Sequence, residues 1–125
     1  MTSPKPAEEA LRAASGMLRA LGAPHRLAIV VELAAGPRRV HELTRSLGAS
    51  QSLTSQHLRV LRTSGLVVGL RRGKEMSYSL ADEHVTRIAL DAVKHASEPS
   101  TARRWAASGG DDGDAVIAQR EGSRR

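Results

Sequence analysis

The chain contains no cysteine. That absence excludes disulfides, thiol redox sensing and thiolate metal sites, so any metal here must be held by imidazole and carboxylate. Phenylalanine is absent as well, and aromatic residues make up only 2% of the sequence. A platform that stacks the bases of single-stranded nucleic acid needs such rings, which leaves duplex DNA as the better nucleic-acid candidate. Long apolar runs are also missing. The longest, LAIVV at residues 27–31, falls far short of the roughly 20 residues a bilayer span requires. The start, MTSPKPAEEA, has no apolar stretch of the signal-peptide kind. A soluble, cytoplasmic protein with no membrane partner is expected.

Charge of one sign is plentiful. The formal net charge is +6, and sixteen of the nineteen cations are arginine. Arginine pairs with phosphates through a fixed fork of donors, so a small arginine-rich protein is a candidate phosphate binder. At 125 residues the chain fits one small domain with a modest core.

The pattern along the chain reads mainly as helix. After a flexible start over residues 1–7, Leu11, Ala14, Met17, Leu18 and Leu21 share one helical stripe that Gly22 closes. Pro24 suits the first turn of a second helix through Leu27, Ile29, Val30 and Leu33, stopped by AAGP. Val40, Leu43 and Leu47 mark a short third helix ending at Gly48. Ser50 then serves as N-cap for QSLTSQHLRVLRTSG, where Leu53, His57, Leu58 and Leu61 share a side and Gly65 is the stop. The period then changes: LVVGL and EMSYSL read as strands, joined by a turn, RRGK, with cations at its tip. A last helix occupies Asp82 to Glu98 and ends at Pro99. Residues 99–125, Gly-rich and charge-mixed, read as a mostly disordered tail.

Two short helices joined through LGAS, the second with a polar outer face, form a helix-turn-helix. On that outer face Gln51, Ser52, Thr54, Ser55, Gln56, Arg59 and Arg62 are the side-chain types that meet base edges and phosphates in a major groove. The hairpin cations Arg71, Arg72 and Lys74 make the module winged and suit backbone phosphates, which give affinity rather than sequence choice. His57 sits on or near the apolar side, so it reads as a packing or buried hydrogen-bonding residue.

The stretches LGAPHRLAIVVEL, VHELTRSLGASQSLTSQHLRVLRTSGLV, RRGKEMSYSL and ADEHVTRIALDAVKHASE, together spanning about residues 8–98, resemble the ArsR/SmtB family of bacterial metal-sensing repressors. The resemblance implies a homodimeric winged helix-turn-helix, dimerised through its first and last helices, that represses transcription until an inducer binds.

The last helix carries Asp82 and His84 at its front and His95 and Glu98 at its back. His84 and His95 lie on nearly the same face but roughly 16 Å apart along the axis at 1.5 Å per residue. Zinc needs ligand atoms about 2 Å away, so the two ends cannot grip one ion within a chain. Two such helices packed antiparallel about a two-fold axis bring the front of one to the back of the other, giving two equal sites. Val85, Ile88, Ala89, Ala92, Val93 and Ala96 would line the seam. Asp82 and His84, two residues apart, diverge by about 200° in a regular helix, so Asp82 must sit at the cap. A blander reading stays open, with Asp82 only a cap, Glu98 a solvated charge and the histidines ordinary interface residues.

The family's zinc sensors place their inter-subunit ligands at these four positions, so the resemblance implies Zn2+, with Co2+ or Ni2+ also suited to imidazole and carboxylate. It further implies His95 as a relay, hydrogen-bonded toward the end of the recognition helix near Gly65. A second family site, built on cysteine ahead of the recognition helix, has Arg39 and Val40 here; the nearby His41 and Glu42 read as surface. The expected protein is thus no enzyme. It is a repressor whose metal-free dimer holds an inverted-repeat operator of double-stranded DNA and is released by a divalent metal. The alternative is a regulator of the same family that does not respond to metal.

Overall fold

The computed structural model describes residues 5–108. Helix α1 spans Glu8–Leu21 and α2 Pro24–Ala34, with Pro24 in the first turn, where its missing N–H costs nothing. A two-residue strand β1, Arg38–Arg39, leads directly into α3, Val40–Leu47. Helix α4 covers Gln51–Thr63, strands β2 and β3 cover Val67–Arg72 and Glu75–Leu80, and α5 covers Glu83–Ala96. The strands form one antiparallel sheet in the order β1-β3-β2, in which Tyr78 of β3 faces Gly69 on one side and Arg38 on the other. The architecture is the expected one, helical with a small hairpin, extended by the short β1.

Helix α2 is the hub. Its Ile29, Val30 and Leu33 are buried, and the helix touches α1, α3, α4, α5 and β3. Around them close Leu43 and Leu47 from α3, Leu58 and Leu61 from α4, then Leu66, Val67, Tyr78, Val85 and Ala89, all in a single cluster. Each fully buried leucine-sized side chain contributes about 1.5–3 kcal/mol, so this cluster holds the reading helices in place. Glu32 of α2 reinforces them, accepting a hydrogen bond from the Ser46 hydroxyl of α3 and lying 4.0 Å from Arg38 Nε.

Four readings of the sequence change. The α1 stripe divides: Leu21 is buried and Met17 packs on the core, whereas Leu11 and Leu18 are 57% and 58% exposed. In α4 the inward position is Thr54, at 0% exposure, while Leu53 is 37% exposed. In α5, Val85 and Ala89 are buried within their own chain, so they cannot line a seam with a second copy; Ile88, Ala92, Val93 and Ala96 remain exposed. The expected disorder after Pro99 gives way to helix α6, Pro99–Ala107, because a proline that ends one helix also fits the first turn of the next. Residues 109–125 of the expected tail, like residues 1–4, lie outside the described residues. Among those described, no helix is long and apolar enough to cross a membrane.

Candidate nucleic-acid interface and metal centre

The turn between α3 and α4 is built from two local devices. Gly48 adopts φ 67°, the left-handed conformation that glycine takes without strain, and its N–H bonds to Thr44 O at 2.9 Å. Ser50 then caps α4, its Oγ accepting from the Leu53 N–H at 3.1 Å. Ahead of α3, the Glu42 carboxylate accepts the Arg39 N–H at 2.9 Å. That bond is the main reason the Glu42 carboxyl titrates below its usual range. Glu42 is therefore occupied as a cap, and with His41 exposed beside it this stretch forms no ligand cluster.

On α4 the side chains of Gln51, Ser52, Ser55, Gln56, Arg59 and Arg62 are exposed. Thr54 is not among them. It is buried, and its hydroxyl donates to Ser50 O at 2.9 Å, so a base-reading role for Thr54 is corrected to a packing one. Helix period explains the change: satisfied by its own backbone, a threonine hydroxyl enters a core at little cost. The wing cations Arg71, Arg72 and Lys74 are also exposed. Strand alternation sends Arg71 to the Gly69–Tyr78 face and Arg72 to the opposite one.

His57 is half-buried on the inner flank of α4, as its position suggested. Its ring lies 5.6 Å from that of His25, centroid to centroid, and its Nδ1 is 3.5 Å from the Arg26 guanidinium, which in turn donates to Ala20 O at 2.7 Å. Burial, then the Arg26 and His25 charges, holds the His57 imidazole below its ordinary range. No local pattern in the sequence hints at this link from the end of α1 through α2 to the reading helix.

Helix α5 presents its ligand-type residues in two pairs. Asp82 caps the helix, its Oδ1 accepting from the Val85 N–H at 3.1 Å and lying 3.6 Å from His84 Nδ1. At the other end His95 Nδ1 is 3.9 Å from Glu98 Oε2. The His84 and His95 side chains are 84% and 70% exposed. Among the described residues no group of three or more metal-ligating side chains forms within the chain. Each pair offers one imidazole and one carboxylate, half of a tetrahedral set, with the chemistry zinc accepts.

The sequence pattern described as "Bacterial regulatory protein, arsR family" matches residues 23–68, the span from α2 into the first strand of the hairpin. The HTH-type transcriptional repressor SmtB of Mycobacterium tuberculosis is 52% identical over 93 residues, which cover 74% of this chain and 69% of that protein. The chain belongs to the arsR family. Another family relative, the HTH-type transcriptional regulator NmtR of the same organism, is 43% identical over 94 residues, covering 75% of this chain and 78% of its own. The fold agrees. The homodimeric winged helix-turn-helix DNA-binding domain Mb0332 from Mycobacterium bovis superposes with a TM-score of 0.67 at 27% identity, covering 80% of this chain and 95% of that one. The arsR-family relatives are named as transcriptional regulators and repressors, not as enzymes, and the chain is a winged helix-turn-helix regulator of transcription.

Proposed function

We propose that the chain is a metal-responsive repressor whose homodimer binds an operator inverted repeat of double-stranded DNA and lets go when zinc is taken up between the last helices. Cobalt and nickel suit the same donors. The observation that carries this reading is the division of Asp82, His84, His95 and Glu98 into two exposed pairs at opposite ends of α5. Neither pair suffices alone, and a second copy related by a two-fold supplies the other half to each. When bound, the ion would crosslink the two helices. Gln51, Ser52, Ser55, Gln56, Arg59 and Arg62 present the polar face that enters the major groove, while Arg71, Arg72 and Lys74 reach phosphates.

The chain supplies the route between the sites. Val85 and Ala89 anchor α5 in the core against α2, and α2 touches both α3 and α4. A shift of α5 therefore reaches the reading helices through packed side chains rather than through a mobile loop. His95, at the end of α5, is the residue from which a relay toward the end of α4 would start. Coupling is reciprocal: whatever factor metal takes from DNA affinity, DNA takes from metal affinity.

The test is fluorescence anisotropy with an inverted repeat selected from a random duplex pool, titrated with zinc, cobalt and nickel chlorides. Operator affinity that stays unchanged at saturating zinc removes the metal response and leaves a regulator that ignores metal. The variant carrying His84→Gln and His95→Gln is expected to hold DNA whether zinc is present or not.

A further inference from the structure

We propose that the groove between α4 and the hairpin is a built phosphate site, which takes one phosphodiester of the duplex backbone in the clamp of Arg59 and Arg62 with Tyr78 beneath. The proposal rests on the DNA-reading role given to α4 and deepens it. The groove encloses about 420 Å3 and is lined by Ser55, Leu58, Arg59, Arg62, Thr63 and Tyr78. That lining combines two guanidinium groups, three hydroxyls and an apolar floor from Leu58, and it contains no carboxylate. Among the described residues neither arginine has an acidic partner.

A second groove, on the opposite face of the sheet, makes the contrast. It is lined by Arg39 and Arg72, but also by Glu42 and Glu75, and Arg39 Nε lies 3.1 Å from Glu75 Oε2. Its two cations are matched by two carboxylates, one of them paired with Arg39. Of the two, only the groove beside α4 keeps an unbalanced positive field, and a water-accessible cleft of one sign concentrates anions.

Placement selects the anion. A reading helix in the major groove and a wing in the neighbouring minor groove have one DNA strand between them, since a single backbone separates adjacent grooves. The cleft lies between the same two elements.

Gly69 explains why Arg62 is ready to bind. A Cβ at Gly69 would stand 2.8 Å from Met76 Cε, 3.3 Å from Tyr78 Cε1 and 3.5 Å from Arg62 Cζ. The guanidinium thus lies over the bare strand backbone beside the Tyr78 ring, in the space that the missing side chain leaves open. A pre-ordered fork loses less freedom on pairing with phosphate than a free one does. Tyr78 sits directly opposite Gly69 in the register and is 9% exposed, so its position is fixed by the sheet.

The experiment measures affinity of the full-length protein for a fluorescein-labelled random-sequence duplex across a potassium chloride series. Each phosphate contact contributes about −0.9 to the slope of log affinity against log salt. Arg62→Gln is expected to flatten the slope by about that amount, while Arg103→Gln, an equal loss of charge on α6, leaves it unchanged. Tyr78→Phe is expected to weaken binding about threefold to tenfold with the slope intact, because it removes a neutral donor. A slope for Arg62→Gln equal to that of Arg103→Gln, with both melting like the wild type, overturns the proposal and leaves Arg62 as a packing residue of the wing. Should Arg62→Gln fail to fold, Arg59→Gln carries the same slope test from the other arginine of the groove. Wild-type protein without salt-dependent affinity for the duplex would defeat the DNA-reading role itself, a result separate from the loss of this one contact.

Discussion

The two-fold sharing of ligands can be tested by making each chain supply only half of what a site needs. Let one variant carry Asp82→Asn with His84→Gln, and the other His95→Gln with Glu98→Gln. In a homodimer of either kind both meeting points lack one pair. In the mixed dimer, the intact front of one chain meets the intact back of the other, while the two broken ends meet each other. Tight sites per dimer are therefore two for the wild type, none for either homodimer and one for the heterodimer. Unbiased assortment on co-expression makes half the dimers mixed, so the average is one half. The geometry leaves little room for other results. The pairs close to 3.6 Å and 3.9 Å internally, yet stand roughly 16 Å apart along α5, so no rotamer lets one chain complete a site alone. Loss of a supporting outer residue at a metal site costs about 10–100-fold in affinity, and loss of two direct ligands must cost more than about 100-fold. Competition with a chromophoric zinc indicator counts the sites, and the visible absorption of bound cobalt reports their geometry. Homodimers that keep tight sites, or a purified heterodimer with none while the wild type has two, would refute the reasoning.

Other positions give sharper local tests. Thr54→Val removes a hydroxyl bond worth about 0.5–1.5 kcal/mol but buries a further methyl worth about 0.8 kcal/mol, so melting temperature should hardly move and DNA affinity should stay within about twofold. Ser55→Ala, one residue on, should weaken DNA binding about threefold to tenfold by anisotropy, and the reverse order would return Thr54 to the DNA face. Because burial holds the His57 pKa below 6.5, the unfolded chain takes the proton first as pH falls. Stability is thus complete above that pH and declines below it, and His57→Gln should flatten the decline in melting temperature measured down to pH 5. Equal decline in both proteins would remove His57 as its source. Leu18→Asp or Ile88→Asp should raise the dimer dissociation constant at least tenfold in sedimentation while leaving the helical circular dichroism intact, since both side chains are exposed in the single chain. An unchanged dimer would move the seam elsewhere.

The helices were legible because each carries its own punctuation: Pro24 opens α2, Gly48 and Ser50 frame the turn, and the RRGK turn separates two runs with period two. What the pattern misjudged was phase and partnership. Leu53 and Thr54 differ by about 100° around α4, and residue type favoured the leucine as the buried one. The hydroxyl bond from Thr54 to Ser50 O, invisible in a hydropathy pattern, reverses that order. Strand β1 is two residues long and exists through pairing with β3, so no local signal could announce it. The approach of Arg62 and Tyr78 to Gly69 is likewise tertiary, since it arises only when α4 lies along the hairpin. For the four candidate ligands of α5 the residue types and spacing were readable in the sequence, and the fold adds that each histidine lies beside its own carboxylate.

The burial pattern of α5 joins the two halves of the proposed mechanism. A sensor helix that floated free of its own domain could bind metal without consequence, and one wholly buried could not meet a partner. Here Val85 and Ala89 fasten one side of the helix to α2, while Ile88, Ala92, Val93 and Ala96 face outward beside both ligand pairs. Leu11 and Leu18 of α1 are exposed as well. Covering such surface with the same surface of a second copy is favourable at about 25 cal/mol per Å2 of apolar area, a contribution to dimerisation that needs no metal. On the proposed reading, Asp82, His84, His95 and Glu98 would hold a divalent ion between helices already packed, and its binding energy would select among their arrangements. That requires a few kcal/mol of differential affinity rather than the full energy of assembly. Under the proposed function, a pull on the Asp82–His84 or His95–Glu98 pair would act on a helix held at Val85 and Ala89, and α2, which packs against both α5 and α4, would carry the displacement.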